Sequence, residues 1–159
     1  MKKKILMFTD GACSKNPGPG GFCVIIKYLK YYKKIYKSFY LTTNNRMELM
    51  AAIYGFEALK ISCKVTIITD SQYLKKGILI WYKKWKKNNW KKKNKKNIKN
   101  KDLWIRLKNS LYSHEIKWIW TKGHIENTMQ NLCDKISKKI LKKPKCFDYQ
   151  YQKNLKIKI

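Results

Sequence analysis

Apolar residues change their spacing along this chain in a way that separates strands from helices. Ile5-Leu6-Met7-Phe8-Thr9 is an unbroken apolar run and predicts a strand buried on both faces. It closes on Asp10-Gly11 and then on Asn16-Pro17-Gly18-Pro19-Gly20-Gly21, a turn in which two prolines fix φ and three glycines permit positive φ. Phe22 to Tyr28 predicts a second strand. From Lys33 to Leu41 the pattern alternates, with Ile35, Lys37, Phe39 and Leu41 on one side and Tyr36, Ser38 and Tyr40 on the other, which predicts a third. Short connections make these three an antiparallel meander.

The period then shifts. Thr42-Thr43-Asn44-Asn45 offers helix caps, and Met47 to Leu59 places Leu49, Ala52, Ile53, Phe56 and Leu59 on one helical face. Lys64 to Thr69 is a β-branched strand ending at Asp70-Ser71, either of which can cap a helix from Gln72 to about Leu79. Asp102 to Leu111 is helical in pattern. Ile116 to Thr121 is a fifth strand. A last helix carries Leu132, Ile136 and Ile140 at four-residue spacing. The order β-β-β-α-β-α-α-β-α predicts an α/β fold, a five-stranded mixed sheet with helices on both faces. Residues 1–142 form the expected domain, and the lysine-rich stretch 143–159 is expected to be a tail ordered only in part.

Charge changes this picture most. The net charge of +29 marks a chain that meets polyanions. All but two of its 38 basic residues, Arg46 and Arg106, are lysine, and Asn, Ile and Tyr are abundant too. These residues share A/T-rich codons, so drift accounts for much of the total and local clustering is the better guide. Five scattered cysteines without a Cys-x-x-Cys pair imply reduced thiols and no zinc site. No apolar run approaches the ~20 residues of a membrane span. The apolar part of the N-terminus stops at Thr9, short of a signal peptide's core of about 7–15 residues. A cytoplasmic protein without a membrane partner is expected.

Only nine residues are acidic, and four of them fall at element boundaries: Asp10 on the first strand, Glu48 early in the first helix, Asp70 after the fourth strand and Asp134 in the last helix. Ligands of α/β sheets gather at the carboxyl ends of parallel strands. Carboxylates converging there would raise one another's pKa unless divalent cations neutralised them, and hard oxygen ligands favour Mg²⁺ or Mn²⁺. Two such ions would support in-line displacement at a phosphodiester by water. Spacing leaves other roles open: a turn cap for Asp10, a helix cap for Asp70, solvated helix faces for Glu48 and Asp134.

The strings Thr9-Asp10-Gly11, Asn16-Pro17-Gly18-Pro19-Gly20-Gly21, Thr42-Thr43-Asn44-Asn45-Arg46-Met47-Glu48-Leu49, Thr69-Asp70-Ser71-Gln72-Tyr73, Lys122-Gly123-His124 and Cys133-Asp134 closely resemble bacterial ribonuclease HI, in order and at family spacing over roughly residues 4 to 142. The resemblance implies Mg²⁺-dependent hydrolysis of the RNA strand of RNA–DNA hybrids by two-metal-ion catalysis, leaving 5′-phosphate and 3′-OH ends, by a monomer. It makes Asp10, Glu48, Asp70 and Asp134 the metal-binding carboxylates, with Mn²⁺ as a possible substitute ion, and His124 an aid to proton transfer or product release. An imidazole titrating near neutrality suits that task. Hybrid recognition requires reading a 2′-OH, and amides both donate and accept. Asn16, Asn44, Asn45 and Gln72 match substrate-contacting positions, with Cys13 beside them, and Thr43 matches a position holding a DNA-strand phosphate; turn and cap roles remain open for the amides.

Between Trp81 and Lys101 lie eleven Lys, three Trp and no acid. Basic residues interleaved with aromatics suit a nucleic-acid backbone. In the family this segment is the protrusion that grips the DNA strand, which nominates Trp81, Trp85, Lys86 and Lys87; a solvated loop with its Trp residues packed inward is the alternative. One departure stands out. Where the family has a Gly- and Pro-containing loop and an Asn four residues before the last acid, this chain has Ile125 to Leu132 without either, and Gln130 at the Asn position. That puts the mobility of the loop around His124 in question. A non-catalytic basic nucleic-acid-binding protein, or another nuclease or strand-transferase on the same sheet, are the alternatives to a ribonuclease.

Overall fold

The computed structural model describes residues 1–91, 98–122 and 128–156, except for the side chain of Thr128. Strands β1 (Lys3–Cys13), β2 (Gly18–Tyr28) and β3 (Tyr31–Thr42) form the antiparallel meander, and β4 (Cys63–Thr69) and β5 (Glu115–Trp120) add in parallel, giving the order β3-β2-β1-β4-β5. Because β1 is central, both its faces are covered. Ile5 and Met7 join the larger core with helix α1 (Asn44–Glu57) and helix α4 (Lys101–Leu111), whereas Phe8 packs with Cys23, Ile25 and Cys133 under helix α5 (Thr128–Ile140). Successive side chains pointing to opposite faces explain why the run reads as continuously apolar.

Three expectations need correction. First, β1 continues through Asp10 to Cys13, and no described glycine has positive φ; the left-handed residue of the turn is Lys15, at φ 58°. The glycine at Gly18 serves close approach instead, since a Cβ there would fall 2.1 Å from the Ser14 carbonyl oxygen. Second, the helix expected to stop near Leu79 runs on as α2 (Gln72–Lys76), a π turn (Gly77–Trp81) and α3 (Tyr82–Lys87). Gly77 lets it lie against Trp104, where a Cβ would come within 1.8 Å of the ring.

Third, the segment after residue 142 is docked through Lys156. The Cys146 backbone exchanges hydrogen bonds of 2.9 Å with Ser38 and Tyr40 on the open edge of β3. Asp148 caps helix α6 (Tyr149–Asn154) and is buried against Arg46. Lysine-rich composition hid one buried acid that anchors the whole segment. Among the described residues no helix is long and apolar enough to cross a membrane.

Candidate active site

Asp10 sits where β1 leaves the core, 8% exposed, its Oδ1 accepting from the Gly11 N–H at 2.8 Å. Gly11 explains how a second acid reaches it. A Cβ at Gly11 would lie 2.7 Å from the Glu48 nitrogen, so only glycine lets β1 touch the first turns of α1. Thr43 starts that helix by accepting from the Arg46 N–H at 3.2 Å. Glu48 then accepts hydrogen bonds from the Ser71 hydroxyl and, at 3.2 Å, from the Asn44 amide.

Asp70 follows β4 directly. The parallel pairing of β1 with β4 ends at Phe8–Ile68, and the same register carried two residues on sets Asp70 beside Asp10. Ser71, not Asp70, caps the next helix, accepting from the Leu74 N–H at 3.1 Å. Capping therefore does not account for Asp70. Asp134 comes from α5, which is stitched along β1: Gln130 donates to the Thr9 carbonyl at 2.9 Å and the Cys133 thiol to the Phe8 carbonyl at 3.3 Å. Gln130, which departs from the resemblance, thus holds α5 beside the acid.

The acids feel one another. Burial pushes the Asp10 carboxyl up to about 8, and repulsion from Asp70, Asp134 and Glu48 adds to it, against the Gly11 hydrogen bond. Burial also pushes Glu48 up to about 7, with Asp70 adding and the Ser71 and Asn44 hydrogen bonds opposing. Among the described residues, however, no three His, Cys, Asp or Glu side chains close into a ready-made metal cluster. Each carboxylate whose hydrogen bonds are given above faces a protein donor, and Asp134 takes Lys138 at 3.0 Å. The donor set is four carboxylates, which fits a hard divalent cation, and their mutual repulsion is the energy such an ion would relieve.

A family model for RNase H matches residues 2–142. The chain belongs to the RNase H family. It is 52% identical over 153 residues to the ribonuclease H of Wigglesworthia glossinidia brevipalpis, covering 96% of this chain and 98% of that one. To the ribonuclease H of Proteus mirabilis it is 46% identical over 151 residues, 95% of each chain. Among solved structures, LC9-RNase H1, described as a type 1 RNase H with the type 2 active-site motif, superposes with a TM-score of 0.82 at 24% identity over 91% of this chain and 75% of that one. LC11-RNase H1, solved in complex with RNA/DNA hybrid, gives 0.65 at 19% identity over 87% of this chain and 97% of that one. Both share the RNase H fold.

The other nominated residues of this RNase H fall into three groups. Around the acids, Asn16 is exposed and its Oδ1 accepts from the Asn44 N–H at 3.1 Å, tying the β1–β2 turn to α1. Cys13, Asn45 and Gln72 lie on the same rim, at the end of β1, in the first turn of α1 and at the start of α2. Farther along the π-interrupted helix, Trp81 packs on Tyr73 and Trp85 on Trp104, at 5.5 and 5.3 Å between ring centres, so these half-buried rings anchor the helix. Lys86 and Lys87 are exposed at its end. His124, the loop to Asn127 and Lys92 to Asn97 of the protrusion lie outside the described residues.

Sequence reasoning missed Arg46. Two residues before Glu48 and 1% exposed, it donates to Asp102 through both terminal nitrogens at 2.9 and 2.8 Å, to Asp148 at 2.7 and 3.0 Å, and to Asn100 at 3.4 Å. Burial opposes its charge, but these carboxylates outweigh that and hold it protonated. The available signal was scarcity: Arg46 is one of two arginines in a lysine-rich chain, and planar bidentate pairing is what lysine cannot supply.

Proposed function

We propose that this RNase H hydrolyses the RNA strand of RNA–DNA hybrids, with Asp10, Glu48, Asp70 and Asp134 holding divalent magnesium, or manganese in its place. The observation that carries this is the gathering of acids at the ends of β1 and β4: burial raises Asp10 and Glu48, and the nearby Asp70 raises both further, in a chain of +29. Bound there, divalent ions would supply water activation and charge stabilisation at the scissile phosphate.

The chain's own residues do the rest. Asn16, Asn44, Asn45 and Gln72, with Cys13 beside them, read the 2′-OH groups of the RNA strand. Thr43 donates to a phosphate of the DNA strand while its Oγ1 caps α1. Lys86 and Lys87 neutralise DNA-strand phosphates from a helix that Trp81 and Trp85 hold in place. His124 moves a proton at the leaving oxygen. The protein works as a cytoplasmic monomer.

The test uses labelled RNA–DNA hybrid beside duplex RNA and duplex DNA, with Mg²⁺ and with EDTA. Cleavage is expected of the hybrid alone and only with the ion. Asp10→Asn should lower it by roughly 10³-fold with hybrid affinity in EDTA retained. Full cleavage by a clean Asp10→Asn preparation overturns the assignment. Replacing Lys86 and Lys87 with Gln should weaken hybrid binding and flatten its dependence on log[salt] by about 1–2.

A further inference from the structure

A second basic feature lies away from the catalytic acids. Between β3 and the C-terminal end of α5 runs a groove of about 700 Å³ lined by Lys37, Lys139, Lys142, Lys143, Lys145 and Tyr36, with Ile140 among its apolar walls. No acid among the described residues lines it, and none forms an ion pair with these lysines. Tyr36 is 55% exposed. The neighbouring exposed tyrosines of the strand are engaged elsewhere: Tyr32 lies under the Lys27 ammonium at 5.4 Å, and Tyr40, at the register shift of β3, packs on Phe147 with ring centres 4.9 Å apart.

Register fixes where the groove lies. Asp10 pairs with Cys23 and Cys23 with Tyr36, so one cross-strand row joins the acid to the ring. Two strand spacings put them about 10 Å apart, side chains on the α5 face. Along α5, Ile140 is six residues beyond Asp134, about 9 Å. The groove therefore starts within a short reach of the acids.

General charge does not make such a place. At the opposite end of the sheet Lys4, Lys27, Lys64 and Lys117 line another groove, of about 560 Å³, without an aromatic ring in its lining; the nearby Tyr32 is covered by Lys27. The β3 groove differs by offering an exposed ring, Tyr36, among the lysines. Cations that track phosphates, together with exposed rings that stack on bases, are what single strands require. An acidic peptide would need only the charge.

We propose that this groove is a second nucleic-acid site that binds single-stranded RNA or DNA, its phosphates on the lysines of α5 and the segment after it and a base on Tyr36. A single strand running out of a hybrid held at the acids would enter it.

The experiment uses the full chain in EDTA and follows the fluorescence anisotropy of labelled dT and rU 12-mers. The triple variant K139Q/K142Q/K145Q is compared with the charge-matched K4Q/K64Q/K117Q in the ring-free groove. The first should weaken both oligonucleotides about tenfold and the second less than twofold. Tyr36→Ala should weaken them about fivefold, with Tyr36→Phe near wild type. Cleavage of a blunt hybrid should be the same in all variants, whose folding is checked by circular dichroism. Equal losses in the two triples, no loss in either, or an indifferent Tyr36→Ala overturns the proposal. So does displacement of the oligonucleotide by polyglutamate at equal charge concentration, which would make the groove a reader of charge alone.

Discussion

Helix α1 carries two charges two residues apart, Arg46 buried and Glu48 half-buried, and their surroundings are opposite. Arg46 faces the C-terminal segment and α4, where Asp102, Asp148 and Asn100 use its donors and Thr42 adds a hydrogen bond of 2.8 Å to Asp148. Glu48, about 200° around the helix, faces Asp10 and Asp70, and those neighbours push protons onto one another. One region brings opposite charges together and the other gathers like ones. A buried cluster whose donors and acceptors meet is complete within the protein and serves position: it fixes α1 against the two segments that flank it. A cluster of like charges is completed by something from outside. The contrast accords with a structural role for the first and with the proposed chemistry at the second.

The largest effect comes from removing the cation on the side where opposite charges meet. Arg46→Ala would leave Asp102 and Asp148 without their cation, Asp148 being 3% exposed. Breaking a buried pair from one side costs about 3–5 kcal/mol. Urea denaturation should show that loss with the C-terminal segment released, while hybrid cleavage by the folded fraction continues. A loss below about 1 kcal/mol would mean that the two regions do not differ as described.

Removing a like charge from the other side should act in the other direction. Asp10 ionises near 3.8 when unfolded and near 8 when folded. Below pH 4 both states hold the proton and its contribution to stability is fully present. As pH rises to about 8 the unfolded chain releases the proton while the folded chain keeps it, so stability falls, and above pH 8 the loss is complete. Asp10→Asn carries no such charge. In EDTA it should match wild type near pH 4 and exceed it by about 2–4 kcal/mol at pH 9. Millimolar Mg²⁺ should close that gap at pH 9; a gap indifferent to the ion would show that the acids do not take one.

A smaller test concerns how α5 delivers Asp134. Gln130→Ala removes the hydrogen bond to the Thr9 carbonyl, worth about 1 kcal/mol. Denaturation should register it, and cleavage should fall only a few-fold because the Cys133 thiol and its packing on Phe8 still hold the helix to β1. Gln130→Asn, the residue the resemblance leads one to expect, tests whether the shorter amide reaches the same carbonyl.

Much of this was legible before any coordinates. The run from Ile5 to Thr9, the alternation in β3 and the switch to helical spacing after Asn45 report local geometry directly, because which face is buried sets the repeat of apolar residues. Asp10 and Asp70 drew notice for a related reason: each sits where an apolar strand pattern stops, and a charge at such a place stands out in a chain with nine acids, whereas Glu48 and Asp134 lie within helices and were nominated through the resemblance. Ser71 and Asp70 were indistinguishable as caps, since both types accept from the next helix's N–H groups. Only the backbone path after β4 turned the serine to Leu74.

What the sequence alone determined, then, is the order of elements, the sheet's mixed topology and the carboxylates at its edge, all properties that short stretches carry within themselves. The tertiary structure decided the rest. Arg46 meets Asp102 and Asp148 across 56 and 102 residues; the segment after Lys142 becomes a docked strap rather than a tail, and Gln130 becomes the fastening of α5. No periodicity encodes such pairs. Which acid meets a buried arginine, and which gathers with other acids, depends on what packing brings together, and that is settled only when the distant parts of the chain have closed on one another.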